Sequence, residues 1–136
     1  MKINRVDHVA IALHDDEPGK RTMELLGLAP REELDYPEYE ARMANYPVGD
    51  VDIELMQGTS QTPIVGPHLD KHGEGIFHIC LEVDDLDEAI EELTAQGVRL
   101  LMEPMDSQGR RVAFLDPATT SKIFIELAEP HPTGQG

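Results

Sequence analysis

Apolar and polar positions along the chain fall into a pattern that is used twice. His8 opens HVAIAL and His78 opens HICLEV, two segments rich in Val, Ile and Leu that read as β-strands. Each runs into acids, His14-Asp15-Asp16-Glu17 in the first copy and Asp84-Asp85-Leu86-Asp87-Glu88 in the second. Acidic side chains cap free amides and complement the dipole at a helix N-terminus, so a helix is predicted after each strand. Met23, Leu25 and Leu26 form the apolar stripe of the first helix, and Leu86, Ile90 and Leu93 that of the second. Gly27 and Gly97, placed at the same distance after their histidines, mark where the helices stop.

Beyond each glycine the pattern returns to strands. Leu28 to Leu34 and Val98 to Met102 are expected as the second strand of each copy. Arg42 to Pro47 and Val51 to Met56 follow in the first, Val112 to Leu115 and Ile123 to Ala128 in the second. The last strands read DIELM and FIELA. A β-α-β-β-β unit is therefore predicted twice, in one domain over residues 1–130: repeats 1–62 and 72–130, a connector from Gly58 to Gly75, and a flexible tail over 131–136. Pro18 and Gly19 fit the first helix only within its opening turn.

Composition narrows the chemistry. The 136 residues are 40% hydrophobic, enough for an aliphatic core. The single cysteine, Cys80, excludes an internal disulfide and any metal site built on several thiolates. No run approaches a membrane span and no leader pattern opens the chain, which predicts a cytoplasmic protein without a membrane partner. The formal net charge of −16 argues against nucleic acid as a partner.

Two histidines and two glutamates occupy matching places in the copies. His8 and His78 open the first strands; Glu54 and Glu126 sit in the last, each flanked by aliphatic residues that alternation sends to the opposite face. Any one alone reads as a polar position on a half-exposed strand. The pairing points instead to two imidazoles and two carboxylates converging, a nitrogen and oxygen set suited to a divalent first-row ion. Cys80 alternates with His78 on its strand. His14, His68, His72 and His131 are expected in loops or tails, and the six acids of Asp84 to Glu92 on a solvated helix face.

VDHVAIAL, VGDVDIELM, TPIVGPHLDKHGEGIFHICLEVDDLDEAIEEL, GVRLL and GRRVAFLDPATTSKIFIEL, in this order, resemble the methylmalonyl-CoA epimerases of the vicinal-oxygen-chelate superfamily, which also holds glyoxalase I and bleomycin-resistance proteins. The resemblance implies an α+β fold of paired β-α-β-β-β modules forming an open, cup-shaped mixed sheet around one divalent metal ion, Co²⁺, Ni²⁺, Mn²⁺ or Zn²⁺. Its implied ligands are His8, Glu54, His78 and Glu126. Its implied activity is interconversion of (2R)- and (2S)-methylmalonyl-CoA through proton abstraction and return at C2, with Glu126 and Glu54 as the catalytic pair, in a homodimer acting on an acyl-CoA. Departures from the family pattern fall at Tyr39 to Ala41, Arg21 to Met23, Phe77, and Ser121-Lys122. A glyoxalase I-like lyase and a non-catalytic small-molecule-binding protein of the same superfamily are the rival readings. Because an acyl-CoA is itself a polyanion, some of Lys71, Arg110, Arg111 and Lys122 are expected to form a basic rim.

Overall fold

In the computed structural model, which describes residues 1–132, the doubled pattern becomes an α+β chain whose described residues form eight strands and three α-helices. The order is β1 (Ile3–Leu13), α1 (Glu17–Leu25), β2 (Glu32–Tyr36), β3 (Ala41–Val48), β4 (Val51–Gln57), α2 (Val65–His72), β5 (Gly75–Val83), α3 (Leu86–Ala95), β6 (Met105–Ser107), β7 (Arg110–Phe114) and β8 (Ile125–Ala128). The β-α-β-β-β order expected from the sequence is thus present twice. Two compact units arise: His8–Phe77, and Met1–Asp7 together with the chain from His78 onward.

In the unit His8–Phe77 the strand order is β2-β3-β4-β1, with β1 parallel to β4 and the other pairs antiparallel. Alternation divides the sheet into two faces. Ile11, Leu13, Ala44, Tyr46, Ile53 and Leu55 point to the face that α1 covers with Met23. The opposite face carries His8, Ala10, Met43, Asn45, Glu54 and Met56, as the cross-strand register requires. The other unit repeats this plan in the order β5-β8-β7-β6, with β5 parallel to β8. There α3 buries Leu86 and Ala89 on Val83, Ala113, Leu115 and Leu127.

Both helices stop as the glycines predict. Gly27 (φ 77°) and Gly97 (φ 95°) adopt left-handed backbone, which costs a residue without Cβ little. Leu28 N–H donates to Met23 O and Val98 N–H to Leu93 O, six-residue closures that return Leu28 and Val98 to the two cores. The expected second strands are therefore displaced. Leu28 and Val98 cap helices, Pro30 and Pro104 interrupt the segments beyond them, and the strands form later, at β2 and β6. Leu100 keeps only an isolated bridge to Leu115.

Three further expectations need correction. The connector contains α2, whose Pro67 falls in the first turn, where a missing N–H costs nothing. His68 and His72 consequently lie on a helix. The apolar stripe of α1 reduces to Met23, since the closure at Gly27 leaves Leu25 82% and Leu26 66% exposed. Of the tail, His131 is held by Asp7 at 3.1 Å, and 133–136 lie outside the described residues.

Candidate metal centre

Each unit contains one buried histidine and glutamate pair on the sheet face away from its helix. In the first, Ala10 is the register partner of Glu54, and His8 lies two residues before Ala10 on β1. In the second, Cys80 is the register partner of Glu126, and His78 lies two residues before Cys80 on β5. The geometry is therefore the same twice. His8 Nε2 stands 3.8 Å from Glu54 Oε2, and His78 Nε2 stands 3.1 Å from Glu126 Oε1. All four side chains are buried. Parallel pairing explains the match: a residue two positions before the partner of the glutamate shares its face and leans toward it.

A buried carboxylate is costly unless a positive or hydrogen-bonding partner faces it. Two such pairs, offering imidazole nitrogen and carboxylate oxygen without thiolate, fit a hard or borderline divalent ion. Cys80 shares the face of His78 and is fully buried, packed with Val112 and Ala128.

The walls around the two pairs differ. Beside His78 the ring of Phe114, register partner of Glu126, packs edge-on at 5.2 Å between centroids, and Phe124 lies at 6.5 Å. Beside Glu54 the corresponding register partner on β3 is Asn45, a buried amide. Tyr36 closes the same face at the end of β2. Burial, reinforced by the carboxylates of Glu54, Glu32 and Glu38, pushes its phenol above the usual tyrosine range, so it stays protonated at neutral pH.

Next to His8 lies a second buried group. Asp7 accepts from Arg110 Nη2 at 2.7 Å and Nη1 at 3.1 Å, from Arg5 at 3.1 Å, and contacts His131 at 3.1 Å. Burial works against the Arg110 charge, yet the bonds to Asp7 carry its pKa above the ordinary arginine value. This narrows the candidates for the expected basic rim. The Arg110 guanidinium is spent on Asp7, and Arg111 reaches Asp87 at 2.9 Å on the face covered by α3. Lys71 and Lys122 remain exposed. Sequence reading missed Asp7, Tyr36 and Asn45. The first had a signal in the Asp-His dipeptide; the other two had none before the register was known.

Similarity to known proteins runs along the same lines. Residues 7–114 match the Glyoxalase/Bleomycin resistance protein/Dioxygenase superfamily. The ethylmalonyl-CoA/methylmalonyl-CoA epimerase of Cereibacter sphaeroides is 30% identical over 132 residues, covering 93% of this chain and 98% of that protein. The crystal structure of methylmalonyl-CoA epimerase from Mycobacterium tuberculosis superposes with a TM-score of 0.83 at 30% identity, covering 96% of this chain and 90% of that one. A methylmalonyl-CoA epimerase in complex with methylmalonyl-CoA and NH4+ gives a TM-score of 0.82 at 28% identity, covering 96% and 100%.

Proposed function

Because the chain belongs to the Glyoxalase/Bleomycin resistance protein/Dioxygenase superfamily, and matches methylmalonyl-CoA epimerases along nearly its whole length, we propose that it interconverts (2R)- and (2S)-methylmalonyl-CoA. The observation that carries this reading is the histidine and glutamate pair repeated at identical register in both units. In the proposal His8, Glu54, His78 and Glu126 hold one divalent ion, Co²⁺, Ni²⁺, Mn²⁺ or Zn²⁺. Such an ion supplies Lewis acidity that stabilises negative charge on two neighbouring substrate oxygens, an effect worth several kcal/mol of barrier.

The remaining work falls to side chains. Inversion at C2 requires a base on one face of the carbon and an acid on the other. Glu126 takes the proton, and Glu54 returns one on the opposite face. Phe114 and Phe124 beside His78 keep water from the charged intermediate. One observation favours a second candidate for the returning acid. A carboxylate engaged as a ligand loses basicity, whereas Glu38, on the turn that follows β2, is exposed and acts with Glu54 on the Tyr36 phenol. Glu38 is thus a carboxylate free of ligand duty, near the same residues. The reading extends to a homodimer in the cytoplasm with an acyl-CoA substrate.

The test is exchange at C2. The metal-loaded protein in D₂O should place deuterium at C2 of methylmalonyl-CoA; no exchange overturns the assignment, and turnover of methylglyoxal with a thiol would favour the glyoxalase reading instead. Glu126→Gln should abolish exchange with the fold intact by circular dichroism. Glu38→Gln and Glu54→Gln separate the two acids: loss of exchange with metal content retained identifies the proton carrier, and loss of both identifies a ligand.

A further inference from the structure

The two units differ at one matched position in a way that bears on the substrate. Asn45 and Phe114 occupy equivalent places: each is the antiparallel register partner of the glutamate in its unit, Glu54 or Glu126. The surrounding sequences, RMANY at 42–46 and RVAFL at 111–115, align without a gap. Where one copy has an aromatic ring, the other has an amide.

That amide has unmet bonding capacity. Asn45 is 6% exposed, and its Oδ1 is buried without a hydrogen-bond partner. Leaving an amide oxygen buried and unpaired is unfavourable, and an apolar residue of the same shape avoids that loss. The core of this unit gains nothing from it, because the side chain lies on the face away from α1 and outside the cluster of Met23, Ala44, Tyr46 and Leu55. A bound molecule that donates a hydrogen bond removes the deficit.

The neighbours restrict what that molecule offers. Glu32 on β2 and Glu54 on β4 flank Asn45 as its register partners. Glu54 faces His8 and, in the reading above, the ion, so Glu32 is the carboxylate that a substrate carboxylate placed there meets as like charge. A neutral hydroxyl meets an acceptor in Asn45 Oδ1 and no repulsion from Glu32, and it occupies nearly the volume of a methyl group.

We propose that Asn45 is a specificity-determining residue whose amide oxygen accepts a hydrogen bond from a hydroxyl on C2 of the substrate, so that the substrate class extends to 2-hydroxyacyl thioesters such as hydroxymalonyl-CoA. This rests on the epimerase reading above and refines its substrate. The proton chemistry is unchanged: the C2–H bond breaks and re-forms, and the hydroxyl keeps its proton throughout.

Two isosteric substrates and one near-isosteric substitution test it. Deuterium exchange at C2 is measured for methylmalonyl-CoA and for hydroxymalonyl-CoA, in the metal-loaded wild type and in Asn45→Leu, as kcat/KM. Dividing the hydroxyl value by the methyl value within each protein, and comparing the quotients, cancels the intrinsic acidities of the two substrates. The quotient should fall about tenfold in Asn45→Leu, the worth of a hydrogen bond whose loss strands a buried acceptor. The thermal midpoint of the ligand-free variant should rise, because the unpaired amide is gone. A quotient unchanged within about twofold overturns the proposal, as does a lowered midpoint, which would mean that the amide serves the free fold through water. Asn45→Ala provides the same quotient should the leucine variant fold poorly. If the wild type exchanges neither substrate, the epimerase reading itself fails; exchange of both with an unchanged quotient leaves that reading standing and removes only this inference.

Discussion

Replacing Asp7 with alanine isolates the energetics of the buried ion cluster beside His8. Asp7 is 3% exposed and the Arg110 side chain 9%, so truncation strands a guanidinium that water scarcely reaches. Removing one partner of such a pair is destabilising by about 3–5 kcal/mol. Two features set the value near the low end. Arg110 Nη1 also donates to the Glu129 carbonyl at 3.2 Å, which survives the substitution. Arg5, 35% exposed, is screened by solvent and adds little. An expected loss of about 3 kcal/mol corresponds, for a domain of this size, to a thermal midpoint lowered by about 10 °C. Urea denaturation read by circular dichroism gives the free energy, and calorimetry the midpoint. The control is the double variant Asp7→Leu with Arg110→Met, which removes both charges and should recover most of the loss. A loss below about 1 kcal/mol in the single variant, or a double variant as unstable as the single, refutes the reasoning.

Gly66→Ala tests a close approach. A Cβ there would stand 2.8 Å from both the Thr59 and Ser60 carbonyl oxygens, so the variant should unfold at lower urea although alanine is the better helix former by about 1 kcal/mol; equal or greater stability would show that the loop yields freely. Alkaline stability tests the buried phenols. Burial, and nearby acids after it, raise the pKa values of Tyr36 and Tyr46 in the fold, so the unfolded chain ionises first. Their contribution is complete below about pH 10 and is lost as the pH rises beyond that. Stability should fall above that pH, less steeply in the double variant Tyr36→Phe with Tyr46→Phe, and identical slopes would contradict the assignment.

Much of the fold is legible along the chain because its information is local. Alternation defines β1 and β5, acids mark the starts of α1 and α3, and Gly27 and Gly97 end them through backbone angles that other residues adopt at a cost. Asp85 caps α3 through Glu88 N–H as its position suggests, while Asp16, bonded to Arg42, begins α1 without a side-chain cap. The helical placement of His68 and His72 is not legible, because nothing local says that Pro67 is in a first turn until the helix around it is known. The second strands slip for a similar reason: Leu28 and Val98 are apolar in a loop because each closes a helix onto its core.

By itself the sequence determined the doubled β-α-β-β-β plan and singled out His8, Glu54, His78 and Glu126 as candidates, because repetition converts weak local signals into a shared one. Tertiary structure alone decided which side chains meet. Asp7 and Arg110, 103 positions apart, form one buried cluster that withdraws an arginine from the expected basic rim. Asn45 faces Glu54 only through the register of β3 on β4. Register is a property of paired strands, set by the turn between them and by burial of one face, and no single segment carries it.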